Sequence, residues 1–206
     1  MRRQGAVGLL IGSTVVAFLA AGSNGVAQAP LAIDSGRVTL AGTSNVHDYT
    51  ASTTKVRVTK ARIAAAAPGA DFWGNVLKPG VIEAFEITIP TASLASPKGD
   101  LDKNMLKALK ADEFSEITFK LVRVDSKTEA PGGTRAIGIL KIAGVEREVA
   151  LLIATKRAGA TLSVQGSVAL LMTDYGITPP KAMMGMLKTD PKVTVTFETV
   201  LAIPLT

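Results

Sequence analysis

The chain has 206 residues, no cysteine, a single histidine and a formal charge of +6. Without cysteine it builds neither a disulfide framework nor a lipidated-cysteine anchor, and one histidine falls short of the several His or Cys ligands that zinc needs. The positive charge is spread without clusters and aromatic residues make up only 4% of the chain, which argues against a nucleic-acid-binding groove with stacking platforms.

Residues 1–29 read as a secretory signal peptide. Arg2 and Arg3 open it, "AVGLLIGSTVVAFLAA" is its apolar core, and "SNGVAQA" supplies small residues suited to cleavage. A transmembrane anchor is the competing reading, but glycines and Ser13 interrupt the core, which is short of the roughly 20 residues that span a bilayer. Ala27-Gln28-Ala29 fits an A-x-A site, although Pro30 after the cut also leaves cleavage after Ala27 or near Ala21-Gly22 open. Residues 30–206 are expected to form one domain, exported to the periplasm or secreted, and held together by packing alone.

That domain is dominated by period-two patterns. "RVTLAG", "TKVRVTKARI", "EAFEITIP", "EITFKLVRV", "TRAIGILKI" and "EREVALLIAT" read as strands, with "NVHDYTAS" continuing after a first turn. "APGGT" and "AGVE" punctuate the three successive strands around Ile137 as an antiparallel meander. In "TLSVQGSVALLM", Leu162, Val164, Gly166, Val168, Leu170 and Met172 share one face. The final "KVTVTFETVLAIPLT" does the same with Val193, Val195, Phe197 and Leu201. The expected fold is mainly β, an antiparallel barrel or sandwich of about eight strands with one inserted helix. The helix is "DLDKNMLKALKAD", where Leu101, Met105, Ala108 and Leu109 recur at helical spacing and Asp100 is the expected N-cap. Two loops are long: "AAAAPGADFWGNVLKPG" with Trp73, and "TDYGITPPKAMMGMLKTDP" with Met183, Met184 and Met186.

The stretch "GTSNVHDYT" holds Ser44, His47 and Asp48, the three residue types of a hydrolase triad. If the segment is extended, His47 and Asp48 point to opposite faces, and no G-x-S-x-G elbow surrounds the serine. No EF-hand loop offers clustered carboxylates to a hard metal. An enzyme, a metal site and a cofactor are therefore not expected, and His47 reads as a polar residue at a strand start or barrel rim, bonded to backbone. The methionines read either as an adaptable lip on a cavity or as a plug of ordinary core, and Trp73 as a loop anchor or a contact at a cavity mouth.

Taken together, "GTSNVHDYT", a helix followed by "EFSEITFKL", then "GILKIAGVEREVAL" and "VQGSVALLMTDYGITPP" resemble the YceI-like domain proteins over nearly all of residues 30–206. The resemblance implies a lipocalin-like antiparallel barrel, exported, with a polyisoprenoid chain held in an elongated apolar interior. It carries over no catalytic residue. Where many members enter the helix through an Arg-Asp-x-His-Leu run, this chain has "DLDKNML", with Leu101 and Asn104 in place of the Arg and the His.

On that reading the ligand is a polyisoprenoid or quinone-like lipid, and the inward strand faces nominate its cavity: Phe85, Ile87, Phe119, Leu140, Leu151, Val164, Gly166, Val168, Leu170 and Phe197. Gly166 and Gly138 are expected to leave room beside the wall for the ligand chain. His47, Trp73, Tyr175, Met183, Met184 and Met186 are the rim candidates. The expected partner is an apolar small molecule or lipid, with no nucleic acid and no membrane span after signal cleavage. The alternative is a structural or stress-related interaction protein with a filled barrel, acting through its loops.

Overall fold

The computed structural model describes residues 31–64, 72–125, 134–182 and 186–203; the signal segment, Met183 and Met184 lie outside them. Strands β1 (Ala32–Ser44), β2 (Tyr49–Thr53) and β3 (Arg57–Ile63) precede a short helix α1 (Phe72–Val76). Strand β4 (Ile82–Pro90) and a 3-10 turn (Thr91–Ser93) lead into helix α2 (Gly99–Ala108). Then follow β5 (Glu116–Asp125), β6 (Thr134–Ile142), β7 (Val145–Ala158), β8 (Thr161–Leu171), a second 3-10 turn (Met172–Tyr175), β9 (Lys181–Ala182) and β10 (Leu187–Ala202).

Nine strands run in one antiparallel order, β2-β1-β10-β8-β7-β6-β5-β4-β3, with two-residue β9 paired to β10 alone. The expected meander is β5, β6 and β7. The sheet curls until its two edges, β2 and β3, are joined only by residues 54–56. The outer edge of β2 is then covered by the segment after β4. Ser52 N–H donates to the Ala95 carbonyl at 2.8 Å and Ala95 N–H returns the bond at 3.0 Å, while the Thr53 and Ser93 hydroxyls meet at 2.8 Å. An edge that would otherwise expose unpaired backbone groups is thereby satisfied at Ser52.

A second irregularity positions the functional end. The β7–β8 ladder covers only Leu152–Ala158 of β7, so Val145–Leu151 pair with β6 alone and Val168–Leu171 of β8 pair with β10 alone. The strands fork, and the 3-10 turn after β8 packs at the fork with Tyr175 buried among Leu170, Val193, Val145 and Val149. Gly176 ends this turn in the left-handed conformation, φ 65°, a geometry that suits glycine because it has no Cβ.

The barrel's two ends differ. At one, Leu31, Phe72, Trp73, Val76, Leu162 and Leu201 form a tight cluster, and each large apolar side chain buried there stabilises the fold by roughly 1.5–3 kcal/mol. Trp73 therefore stands on a helix inside the core at 4% exposure, which corrects its expected position at a loop rim. At the other end α2 lies across the opening, and none of its residues is buried. Its start also departs from expectation. Lys98, without a side-chain cap bond, is the N-cap, Asp100 lies in the first turn, and the Asp102 carboxylate accepts the Ser96 N–H at 2.7 Å. Both acids favour the positive helix terminus.

Gly166 and Gly138 serve a different purpose from the one expected. A Cβ built on Gly166 would meet the Phe197 ring and the Leu152 carbonyl oxygen, both at 2.7 Å; one on Gly138 would meet the Phe119 ring and the Lys120 carbonyl oxygen. Each glycine makes room for a neighbouring strand's aromatic ring, as glycines in strands often do where another group approaches closely. Gly138→Val should accordingly cost about 2–3 kcal/mol, the upper part of the overpacking range, as a lowered urea midpoint with unchanged slope. Gly99→Ala, whose Cβ enters open space, should leave the midpoint unchanged or slightly raised. Equal midpoints for the two variants would contradict the ring-over-glycine account.

Candidate functional site

Two cavities occupy the interior, and Val195 belongs to the wall of both. The inner one, about 180 Å³, contains Phe85, Ile87, Phe119, Leu140, Leu151, Val164, Val168 and Phe197, all expected cavity residues, and ends at Trp73. Among the described residues, Thr199 and Trp73 carry the only polar side-chain groups on its wall. Leu170 lines the outer cavity instead. Gly166 lines neither, because the Phe197 ring covers it.

The outer cavity, about 560 Å³, is the mouth. Its floor is Leu40, Leu170, Val193 and Val195 from the strands, and its roof is the α2 face of Leu101, Asn104, Met105, Ala108 and Leu109. The helical spacing read from the sequence thus places an apolar stripe over a cavity, which explains why an amphipathic helix has no buried residue. His47, Asp48, Lys98, Asp100 and Lys181 stand around it. Such a site is concave and mostly apolar with a few polar groups, the usual form of a small-molecule pocket.

The segment between β1 and β2 is a stapled turn. The Ser44 hydroxyl donates to the His47 carbonyl at 2.8 Å and accepts the N–H groups of His47 and Val46 at 3.1 and 3.3 Å. Asn45 ties the same turn to the start of β10, accepting Lys188 N–H at 2.8 Å and donating to the Met186 carbonyl at 2.8 Å. The chain bends at residues 45–46 and leaves the sheet until Tyr49, and His47 Nδ1 lies 3.2 Å from the Asp48 carbonyl oxygen. His47 does reach the mouth wall, as expected of a rim residue, and Tyr175 lines it while being buried. Met186 does not line either cavity; it is 69% exposed and enters the site's architecture only through its backbone carbonyl.

Sequence reasoning missed Tyr49. It begins β2 directly opposite Gly42 of β1, and its ring lies against that glycine. The signal was the tyrosine immediately after the turn, paired with the glycine immediately before it. Tyr49 and Tyr175 are the chain's two tyrosines, and the hydroxyls of both are buried without a hydrogen-bond partner. The third such group among the described residues is Trp73 Nε1, in the inner cavity wall. An unmet buried polar group costs about 1–3 kcal/mol, and all three belong to residues that line the cavities. Burial, with Asp190 nearby, raises the Tyr49 hydroxyl above its usual pKa. Burial and Asp174 raise that of Tyr175, against a smaller opposing effect of Arg147.

Fold and site define an antiparallel lipocalin-like barrel with one end packed by an apolar cluster and one partly polar end. The chain belongs to the YceI-like domain family, whose model matches residues 33–201. Among solved structures it is similar to a polyisoprenoid-binding domain from Saccharophagus degradans implicated in plant cell wall breakdown. That likeness has 14% identity and a TM-score of 0.62, covering 86% of this chain and 100% of that one. It is also similar to BcnA of Burkholderia cenocepacia, with 14% identity and a TM-score of 0.61 over 80% and 95% of the two chains. A mutant YceI protein of Campylobacter jejuni with a monobromobimane guest is 12% identical, with a TM-score of 0.54 over 73% and 82%. No curated protein sequence matches the chain.

The two tyrosines give the fold an alkaline signature. Unfolded tyrosines ionise near pH 10, whereas the folded ones hold their protons to higher pH, so stability present below pH 10 is lost as pH rises beyond it. A Tyr49→Phe, Tyr175→Phe double variant should show a shallower decline in urea unfolding free energy above about pH 10. At pH 7 it should be no less stable than the parent, because no hydrogen bond is removed. A steeper decline, or a loss at pH 7, would show that the hydroxyls have partners.

Proposed function

We propose that this protein is an exported lipid carrier that holds a polyisoprenoid or similar long apolar molecule along the barrel axis. The observation that carries the reading is the pair of cavities meeting at Val195, partly polar beneath α2 and apolar toward Trp73. Each methylene moved from water into such an interior contributes roughly 0.8 kcal/mol, so a few isoprene units are retained without any charged anchor. The likeness to a domain described as polyisoprenoid-binding supports the same cargo class. The signal-like residues 1–29 support export to the periplasm or beyond. No helix among the described residues is long and apolar enough to cross a membrane.

The reading is of a binding protein, with the serine and histidine of "GTSNVHDYT" holding a turn. The inner cavity is about 180 Å³ against about 560 Å³ for the mouth, so the mouth takes most of the cargo's bulk and the inner cavity takes its tail.

Protein purified from its native host should release a long-chain apolar molecule on solvent extraction, identified by mass spectrometry. Delipidated protein should take up a quinone-like isoprenoid, with quenching of Trp73, the chain's single tryptophan. Ala108→Trp, which fills the mouth from the α2 side, should lower uptake at least tenfold while leaving the circular dichroism spectrum unchanged. A protein that yields no lipid and takes up no probe would sink the carrier reading and leave the interaction protein acting through its loops.

A further inference from the structure

We infer that the mouth is a headgroup site, and that it selects an uncharged head with a hydrogen-bond-accepting oxygen, a carbonyl or an alcohol, received by the hydroxyls of Tyr49 and Tyr175. The inference rests on the carrier reading and deepens it.

Three observations converge. The chain's only two tyrosines both line this one cavity, and both hydroxyls are buried and unpartnered; Tyr175 as a whole residue is 3% exposed. A tyrosine hydroxyl is both donor and acceptor, so two of them can receive a carbonyl by donation, or an alcohol in either sense. The sheet register sets Tyr49 at the level of strand residues that pack in one cluster with Tyr175. Tyr49 pairs with Gly42, Gly42 with Val193, and Val193 with Leu170, while Leu170 and Val193 pack in the cluster that holds Tyr175. Along β10 that level lies two residues before Val195, where the apolar inner cavity begins. A head held there directs its chain toward Trp73.

Charge decides the kind of head. Asp190 acts on Tyr49 and Asp174 on Tyr175, so a phosphate or carboxylate seated by the hydroxyls would meet two carboxylate fields, with Arg147 opposing at Tyr175. The cations on the cavity wall, Lys98 and Lys181, are matched there by Asp48 and Asp100. A neutral oxygen needs no such compensation, and burying it against two hydroxyls avoids the cost of desolvating an ion.

The test uses isoprenoid probes of equal chain length bearing a methyl ketone, an alcohol, a phosphate or no head, titrated against the delipidated protein and followed by Trp73 fluorescence. The ketone and alcohol should bind more tightly than the hydrocarbon and the phosphate. Tyr49→Phe and Tyr175→Phe should each weaken them by roughly 5- to 30-fold, the effect of one buried hydrogen bond, while leaving hydrocarbon affinity unchanged. Phenylalanine keeps the ring over Gly42 and in the fork, so a shared loss for headed and headless probes would mean a merely structural role and overturn the inference. Tightest binding by the phosphate, or headed probes unaffected by both substitutions, would overturn it too while the carrier reading stands. Failure of every probe to bind overturns the carrier reading itself.

Discussion

The interior of this protein depends on aromatic rings resting on glycines of neighbouring strands. Phe197 lies over Gly166, Phe119 over Gly138 and Tyr49 over Gly42, in each case closer to the glycine than a Cβ would permit. A barrel of this strand number is just wide enough to be filled by side chains or to hold one slim ligand, so the choice rests on how its largest residues lie. Rings seated against the wall take up space where a side chain is missing, not space along the axis. The glycines thus set the bore indirectly, and the two cavities meeting at Val195 are what the rings leave behind.

This arrangement explains which parts of the protein were legible in its sequence. Period-two alternation reports which residues of a strand share a face, and Val164, Val168 and Phe197, collected that way, line the inner cavity. It does not report what stands opposite a glycine, so Gly166 and Gly138 suggested space for a ligand when the occupants were rings two strand positions or one strand away. The helix was equally visible in the spacing of Leu101, Met105, Ala108 and Leu109. Its cap was not, because Lys98 and Asp102 take their roles from where Ser96 arrives, a matter of tertiary path. Trp73 was misplaced for a related reason. A Gly/Pro-rich stretch reads as loop, and only packing against Leu162 and Leu201 turns five residues of it into a buried helix.

Tyr49 was hidden by the turn before it. Treating residues 46–50 as extended assigns faces by counting from His47, but the Ser44 staple bends the chain there and restarts the count at Tyr49. The same staple dissolves the apparent triad, since the Ser44 hydroxyl is committed to the backbone of the turn, in the manner of a serine side chain that mimics a turn's own hydrogen bonds. What looked like a chemical constellation is the fastening that delivers a tyrosine to the cavity.

The two ends of the barrel then follow opposite physical rules. At the α1 end, three of five helix residues are buried and pack against the apolar cluster of Leu31, Leu162 and Leu201. At the α2 end, a ten-residue helix buries none, and two hydroxyls stand unmet beneath it. Phenylalanine at either tyrosine would fill the same volume without an unmatched hydroxyl, so packing alone does not account for the oxygen atoms. A domain whose net stability is of the order of 5–15 kcal/mol carries such groups at an appreciable fraction of that margin. Local conflicts of this kind, where the fold accepts a loss that a simple substitution would remove, tend to mark the place where a protein meets something other than itself. Two of the three unmet groups among the described residues fall in one cavity, Tyr49 at the start of β2 and Tyr175 in the turn after β8, and that coincidence assigns polarity to an otherwise apolar interior.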